Sequence, residues 1–336
     1  MNVLITGAGL IGTHLARRIV DSGDQVVLYD LVPNRDYIAK IVGREKANIV
    51  AADMRDLPAL IQSLKQYNVD TVVHTAGLIG KRVAENTYTG STNNIMGTIN
   101  VLEAARLVGL RRVVYVSTFG VYDRSRIKEP TVRENAATGG HNLYTVTKLC
   151  SEHLVHGYAF HHNLDTVIIR PGGVFGRGHY VGGSTVGMVM RDLAMNIIKG
   201  DPFTIDPKVH AANEYVYAKD VALALHLACR AANPKQRTYN AGSGVVTGPE
   251  DLARIVRELS SHIEVKLAGP SSGGDGKTAP LDLSASKSEL AYAPQFPLKE
   301  ALRDYMEELW REPRSSVNPP SGSGSDNTAP RSRPSM

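Results

Sequence analysis

The chain alternates short, nearly all-apolar runs with longer segments of helical spacing. The short runs are rich in Val and Ile, which is typical of parallel strands covered on both faces; they are Val3–Thr6, Gln25–Asp30, Ala47–Val50, Thr71–Thr75, Val113–Ser117 and Thr166–Arg170. Between them, apolar residues recur every three or four positions, in Ile11–Ser22, Leu57–Gln66, Asn93–Val108 and Asn142–His161. Repeated βαβ units with right-handed crossovers predict an α/β fold with a doubly wound parallel sheet.

The pattern changes after Pro171. Residues 172–187 hold seven glycines and predict a mobile loop. Further helices are predicted at Met188–Lys199, Asp220–Ala231, Gly248–Ser260 and Leu298–Trp310, without strict alternation with strands. The end of the chain is rich in Pro, Ser, Gly and Asn, which cannot form a core. We therefore predict a first domain at residues 1–171, a mixed region at 172–312 that completes the sheet and adds a small C-terminal lobe, and a disordered tail at 313–336.

The composition indicates a globular protein from a reducing compartment. Of the 336 residues 42% are hydrophobic, and the two cysteines, Cys150 and Cys229, lie too far apart in sequence to suggest a disulfide scaffold. No apolar run approaches the roughly 20 residues that span a bilayer, and the N-terminus lacks the basic segment of a signal peptide. The net charge is +5, of which the tail holds two, so a nucleic-acid partner is not indicated. We predict a cytoplasmic protein that binds neither nucleic acid nor membrane.

The first chemical motif is Gly7-Ala-Gly9-Leu-Ile-Gly12, which follows the first strand and opens the first helix. In that context the glycines allow a tight turn and let the backbone approach a pyrophosphate at the positive end of the helix. Asp30 ends the second strand, where such folds place an acid for the ribose diol. No cation for a 2′-phosphate follows until Arg35. The spacing predicts a Rossmann domain that binds NAD rather than NADP.

The second motif is Tyr144-Thr-Val-Thr-Lys148, on the helix after the fifth strand. Residues i and i+4 share a helix face, so the ammonium is expected to lower the pKa of the phenol, which can then act as acid or base. The same spacing recurs at Tyr215 and Lys219, but in a strand-like stretch, so we interpret that pair as structural. Ser117 and Thr118 end the fifth strand, and active sites of open parallel sheets lie at such strand ends.

With these motifs in order, the chain from about residue 1 to 310 resembles the extended short-chain dehydrogenase/reductases of the NAD-dependent epimerase/dehydratase family. The residues that carry the resemblance are Thr6–Gly12, Asp53-Met54, His74–Gly77, Asn94–Asn100, Ser117–Tyr122, Tyr144 with Lys148, and Arg170-Pro171. The resemblance implies a Rossmann fold with a C-terminal substrate-binding lobe, NAD as cofactor, and a homodimer formed through the helices at 93–108 and 142–161.

The resemblance also implies roles for single residues. The expected cofactor-binding set is Gly7, Gly9, Leu10, Ile11, Gly12, Asp30, Asp53, Met54, Thr75, Ala76, Gly77, Tyr144, Lys148 and Pro171. Asp53 and Met54 would flank the adenine, and Ala76 and Gly77 would line the cofactor cleft. The expected catalytic set is Tyr144, Lys148, Thr118, Ser117 and Asn94, with Thr118 holding the substrate oxygen and Ser117 as the alternative. Asn94 would shape its helix and an active-site water network.

This reading predicts hydride transfer at a secondary alcohol or ketone of a polar, sugar-like molecule, with Tyr144 exchanging the hydroxyl proton. The favoured outcome is a net dehydrogenase or reductase. The alternatives are a nucleotide-sugar epimerase with a transient keto intermediate and, on the same fold, a non-catalytic dinucleotide sensor. No residue that could eliminate water follows Thr118, since Phe119-Gly120 stand there; we therefore do not expect a dehydratase.

Three departures from the family pattern bear on the substrate. Sugar-nucleotide enzymes of this family carry Asn where Gly173 stands, Arg where Asn213 precedes Glu214, and an Arg before the Gly-Asp that ends at Asp275. Those missing groups would clamp a diphosphate, so a UDP- or dTDP-sugar is not favoured unless Arg177, Arg191 or Lys208 substitutes. No metal site is predicted, although the histidines at 153, 156, 161 and 162 cluster on one predicted helix.

Overall fold

The computed structural model describes residues 1–178, 183–260, 263–269 and 278–311. Its strands are β1 (Asn2–Thr6), β2 (Gln25–Asp30), β3 (Asn48–Ala51), β4 (Thr71–His74), β5 (Arg112–Val116), β6 (Thr166–Pro171), β7 (Gly173–Phe175), β8 (Phe203–Ile205), β9 (Tyr215–Tyr217), β10 (Thr238–Ala241) and β11 (Val265–Leu267). Seven of them form one parallel sheet in the order β10-β6-β5-β4-β1-β2-β3. The chain order reverses at β1 and β4, which is where open sheets of this kind bind ligands.

Helices cover both faces of the sheet. They are α1 (Leu10–Asp21), α2 (Arg35–Ile41), α3 (Leu57–Gln66), α4 (Lys81–Glu85), α5 (Thr87–Ser91), α6 (Gly97–Val108), α7 (Leu143–His162), α8 (Thr185–Lys199), α9 (Ala218–Arg230), α10 (Pro249–Leu259), α11 (Ser284–Leu290) and α12 (Leu298–Trp310). One apolar cluster lies under α1, α2 and α9, and a second lies under α3, α6 and α7. The strands are buried on both sides because the two clusters sandwich them, which explains their continuous apolar sequence.

The predicted α/β fold with a doubly wound parallel sheet is confirmed, with β10 pairing beside β6. Helix α2 was not predicted from the sequence. The Asn34 side chain caps it by accepting the Tyr37 amide at 3.0 Å. The predicted helix at 93–108 is two elements, a π-helical turn at Thr92–Met96 followed by α6. The glycine-rich segment predicted as a loop contains β7, which pairs with β9, because its apolar residues pack into the lobe.

The C-terminal lobe has its own apolar cluster. It packs α8, α10 and α12 around two small parallel pairs, β7 with β9 and β8 with β11. The tail predicted from residue 313 onward and the Gly-Asp segment ending at residue 275 lie outside the described residues. Among the residues that are described, no helix is long and apolar enough to cross a membrane.

Candidate functional site

The glycine loop between β1 and α1 has two kinds of glycine. Gly7 has φ +89° and donates its amide to the Tyr29 carbonyl at 2.8 Å; a Cβ there would lie 2.8 Å from the Thr75 hydroxyl oxygen. A Cβ on Gly12 would lie 1.9 Å from the Gly7 carbonyl oxygen, so these two glycines permit close packing of the loop. A Cβ on Gly9, by contrast, would meet no atom within 4 Å. Gly9 therefore faces open space in front of the helix.

That open space suits an anion. Gly9 caps α1 without a side-chain hydrogen bond, and the first turn, which begins at Leu10 and Ile11, has no acidic residue. The first amides of a helix have no partner within the helix and carry its positive partial charge, so they can bind a pyrophosphate. This loop therefore fits the phosphates of a dinucleotide.

Asp30 ties the end of β2 to the glycine loop. One carboxylate oxygen accepts the Ala8 amide at 2.7 Å, and the other accepts the Val32 amide at 2.9 Å. A carboxylate has further lone pairs, so it can also accept the two hydroxyls of a ribose. The following Leu31 and Val32 are exposed and apolar, with no charge for a 2′-phosphate.

The residues expected near the adenine lie beyond β3. The Asp53 carboxylate accepts the Arg55 guanidinium at 2.6 Å, and this hydrogen bond with the charge of Arg55 lowers the pKa of Asp53. Met54 is buried against Gly97, where a Cβ would lie 2.5 Å from the Met54 methyl carbon. The ion pair of Asp53 with Arg55 was not predicted from the sequence, and it forms in the turn after β3.

Thr75 supports the cofactor loop from β4. Its hydroxyl donates to the carbonyls of Thr6 at 2.7 Å and Gly7 at 3.0 Å, so it holds the loop from behind. Ala76 is partly buried beside it. Pro171 is buried and pairs in register with Ala241 of β10, at the carboxyl end of β6.

Asn94 lies in the π-helical turn and connects three elements. Its amide nitrogen donates to the Leu78 carbonyl at 2.9 Å and the Thr147 hydroxyl at 3.0 Å, and its oxygen accepts the Leu78 amide at 2.8 Å. A Cβ on Gly77 would lie 3.2 Å from the Asn94 oxygen and 3.9 Å from the Lys148 nitrogen. The structure thus brings Gly77, Asn94 and Lys148 together. Thr147 was not predicted, although its place one turn after Tyr144 is a signal for it.

Lys148 is buried on α7 and held against β5. Its ammonium donates to the Val116 carbonyl at 2.8 Å and lies 4.9 Å from the centre of the Tyr115 ring. Burial lowers the pKa of Lys148 to about 8, although the charge of Glu152 opposes the shift. A lysine with a pKa this near neutrality is typical of a functional site.

Tyr144 begins the same face of α7, behind an N-cap in which Asn142 accepts the Thr145 amide at 3.0 Å. Burial raises the pKa of Tyr144 to about 12, and a hydrogen bond with Thr118 opposes this shift. Desolvation thus outweighs, in the pKa of this phenol, the lowering that the sequence led us to expect from Lys148. Thr118 lies close enough to Tyr144 to act on the phenol.

The two strand-end hydroxyls of β5 differ in their partners. The Thr118 oxygen accepts the Gly120 amide at 3.1 Å, which fixes the turn Phe119–Val121. The Ser117 oxygen is buried and has no hydrogen-bond partner among the described residues. Both hydroxyls remain candidates for holding a substrate oxygen.

Several other predicted features have structural partners. Tyr215 lies in β9, and Lys219 forms an ion pair with Glu308 at 2.9 Å. The backbone carbonyl of Arg177 accepts from Tyr37 at 3.0 Å. In the described ranges, no group of three His, Cys, Asp or Glu side chains is placed to hold a metal ion.

The chain is similar to known proteins along most of its length. The model of the NAD dependent epimerase/dehydratase family matches residues 3–242. A UDP-glucose 4-epimerase of Mycolicibacterium smegmatis is 28% identical over 311 residues, which cover 91% of this chain and 98% of that protein.

Solved structures extend the comparison. A Thermus thermophilus UDP-glucose 4-epimerase in complex with NAD is 25% identical, covers 93% of this chain and 99% of its own, and has a TM-score of 0.75. A Stenotrophomonas maltophila UDP-glucose-4-epimerase with bound NAD and formylated UDP-arabinopyranose is 26% identical, covers 92% and 97%, and has a TM-score of 0.77.

Proposed function

This chain belongs to the NAD-dependent epimerase/dehydratase family, and from that premise we propose that it is an epimerase of nucleotide sugars with a transient keto intermediate. It is an NAD-dependent enzyme. The observation that carries the proposal is the packing of the start of α7, which holds Tyr144 and the buried Lys148, against the end of β5, where Thr118 lies. The chain is also similar along nearly its whole length to a UDP-glucose 4-epimerase. This reverses the preference for a net dehydrogenase that the sequence favoured.

The chain's residues supply proton transfer and orientation. Thr118 accepts the Gly120 amide, which leaves its hydrogen for the substrate oxygen, and Tyr144 exchanges the proton of that oxygen. Lys148 contributes a positive charge held in place by the Val116 carbonyl. Bound NAD supplies the hydride acceptor and, in its oxidised form, a positive charge that favours the phenolate. The glycine loop and Asp30 provide the donors and acceptors that such a cofactor needs.

A net dehydrogenase is the second candidate. Gly173 and Asn213 stand where diphosphate-binding side chains are expected, which favours a substrate without a diphosphate. The two candidates differ in the fate of the cofactor, because an epimerase returns the hydride to the substrate and a dehydrogenase does not.

The test begins with the nucleotide released by denaturing freshly purified protein, followed by NMR of UDP-glucose incubated with the NAD-loaded enzyme. Retained NAD and formation of UDP-galactose without NADH accumulation support the epimerase. NADH accumulation in proportion to product supports the dehydrogenase.

The catalytic assignment has its own variant. Tyr144→Phe should lower turnover by a factor of about 10² to 10⁴ while NAD affinity stays unchanged. Turnover that persists in this variant would refute the proposed role of Tyr144.

A homodimer in the cytoplasm is also part of the proposal. Large apolar side chains are exposed along the π-helical turn, α6 and α7, at Met96, Leu107, Val146 and Phe160. A dimer that packs these helices together would cover them, and light scattering of Phe160→Asp against the unmodified protein tests it. A monomer in both cases would refute the dimer.

A further inference from the structure

Arg124 has a buried guanidinium nitrogen that finds no hydrogen-bond partner among the described residues. It lies in the turn Arg124–Arg126, six residues after Thr118. Its Nη1 donates to the Ala279 carbonyl at 2.9 Å, and its guanidinium carbon lies 5.3 Å from the centre of the Phe119 ring. Its Nη2 is buried and unbonded within the described part of the chain. The side chain is thus held in place with its buried Nη2 donor unused.

The charge of Arg124 is also not neutralised at short range. Within the described ranges no carboxylate forms an ion pair with it. Glu214 is the acid whose charge acts on it, but the Glu214 oxygens accept the amides of Gly244 at 2.8 Å and Leu281 at 2.6 Å. Burial lowers the pKa of Arg124, and Glu214 only partly opposes this.

Arg124 is only partly buried as a residue, but its Nη2 is buried, and the two buried arginines in the described part of the chain both have a carboxylate partner. Arg112 pairs with Asp165 at 2.6 Å and Arg170 pairs with Glu152 at 2.6 Å. A buried charged donor without a partner costs free energy that folding must offset. The exception at Arg124 therefore indicates a group whose partner is a ligand.

The position of Arg124 connects it to the candidate site. Phe119, which it stacks on, directly follows Thr118, and Ala279 belongs to the segment that leads to α11. We propose that Arg124 binds an anionic oxygen group of the substrate, a phosphate or a carboxylate, with its free Nη2 edge. The location of the substrate rests on the proposed function, but the anion-binding chemistry rests on Arg124 itself. Arg124 then serves in place of the arginine expected where Asn213 stands.

The experiment measures binding to the NAD-loaded full chain by calorimetry. The probes are UDP, UDP-glucose, UDP-glucuronate and inorganic pyrophosphate. Arg124→Gln is compared with Arg126→Gln, an exposed arginine on the same turn that removes the same charge. We expect Arg124→Gln to weaken binding about 10- to 100-fold, and Arg126→Gln to change it by less than about twofold. NAD affinity should stay unchanged in both variants.

The pattern across probes identifies the source of the anion. If Arg124→Gln loses affinity equally for UDP, UDP-glucose and pyrophosphate, the group that Arg124 binds is a phosphate. If it loses affinity only for UDP-glucuronate, the group is a carboxylate. Unchanged binding of all four probes in Arg124→Gln, or no binding of any probe by the unmodified protein, overturns the inference. Pyrophosphate binding that depends on Arg124 without turnover of any UDP-sugar sustains the inference while the proposed epimerase fails.

A structural role for Arg124 predicts a different result. Replacement would then lower the midpoint of thermal unfolding, because the Ala279 hydrogen bond is lost, and leave the affinity for the probes unchanged. If Arg124→Gln does not fold, Arg124→Lys keeps the charge but not the planar fork and should still bind the probes more weakly than the unmodified protein. Unaltered binding by the lysine variant in that case overturns the inference.

Discussion

The pair of Arg170 and Glu152 allows a stability prediction that also reaches the active site. Both side chains are almost fully buried, and the guanidinium donates to the two carboxylate oxygens at 2.9 and 2.6 Å. A third donor of Arg170 goes to the Glu134 carbonyl at 2.9 Å. Glu152→Ala would leave the guanidinium buried with this one neutral acceptor. Breaking a buried pair from one side costs about 3–5 kcal/mol, because the remaining charge is uncompensated.

The assay is urea unfolding followed by circular dichroism at a fixed NAD concentration. The double variant Glu152→Met with Arg170→Met should recover about half or more of the free energy of unfolding that Glu152→Ala loses, since neither charge of the pair is left buried. Glu258→Ala, which breaks the surface pairs of Glu258 with Arg254 and Lys299, is the control and should lower the free energy of unfolding by less than about 1 kcal/mol. A loss below about 1 kcal/mol for Glu152→Ala would refute the reasoning.

A change at Glu152 also affects Lys148. Glu152 lies one helical turn after Lys148, and its charge raises the lysine pKa against the effect of burial. Glu152→Gln should therefore move the alkaline limb of the pH–activity profile to lower pH. An unchanged limb would mean that Glu152 acts on stability alone.

Three further predictions concern the cofactor loop, the strand-end hydroxyls and pH. Gly9→Ala should weaken NAD binding about tenfold or more with unchanged stability, because its Cβ meets only the space proposed for the pyrophosphate. Gly12→Ala should also lower the unfolding midpoint, because its Cβ would clash with the loop backbone. Calorimetry measures the NAD affinity and thermal unfolding measures the stability, and tight NAD binding by Gly9→Ala would contradict the placement of the pyrophosphate at this loop. Thr118→Val should reduce kcat about 100-fold and Ser117→Ala only a few-fold, as measured by steady-state kinetics. A larger effect of Ser117→Ala than of Thr118→Val would make Ser117 the residue that holds the substrate oxygen. Activity should fall as pH rises through about 8, where Lys148 loses its charge. Because the unfolded chain keeps that proton up to the ordinary pKa of 10.5, stability should rise with pH between about 8 and 10.5, and urea titrations of Lys148→Met should show a smaller rise.

Features that depend on local spacing could be predicted from the sequence. The apolar runs predicted the six strands β1 to β6 within a residue or two of their observed ends, because burial on both faces demands continuous apolar residues. The glycine loop with Asp30 was recognisable because strand, turn and helix are consecutive. Tyr144 and Lys148 were recognisable because four residues are one helical turn.

Features that join distant segments of the chain could not be predicted from the sequence and are seen only in the folded structure. Lys148 donates to the Val116 carbonyl, Asn94 bonds Thr147 across two helices, and Arg124 meets Ala279, more than 150 positions away. The pKa of Tyr144 moved opposite to the sequence-based expectation, since desolvation depends on what surrounds the phenol and not on its helix neighbours. Periodicity assigns a residue to a face of an element, but burial, hydrogen-bond partners and unpaired charges arise only where elements from different parts of the chain meet.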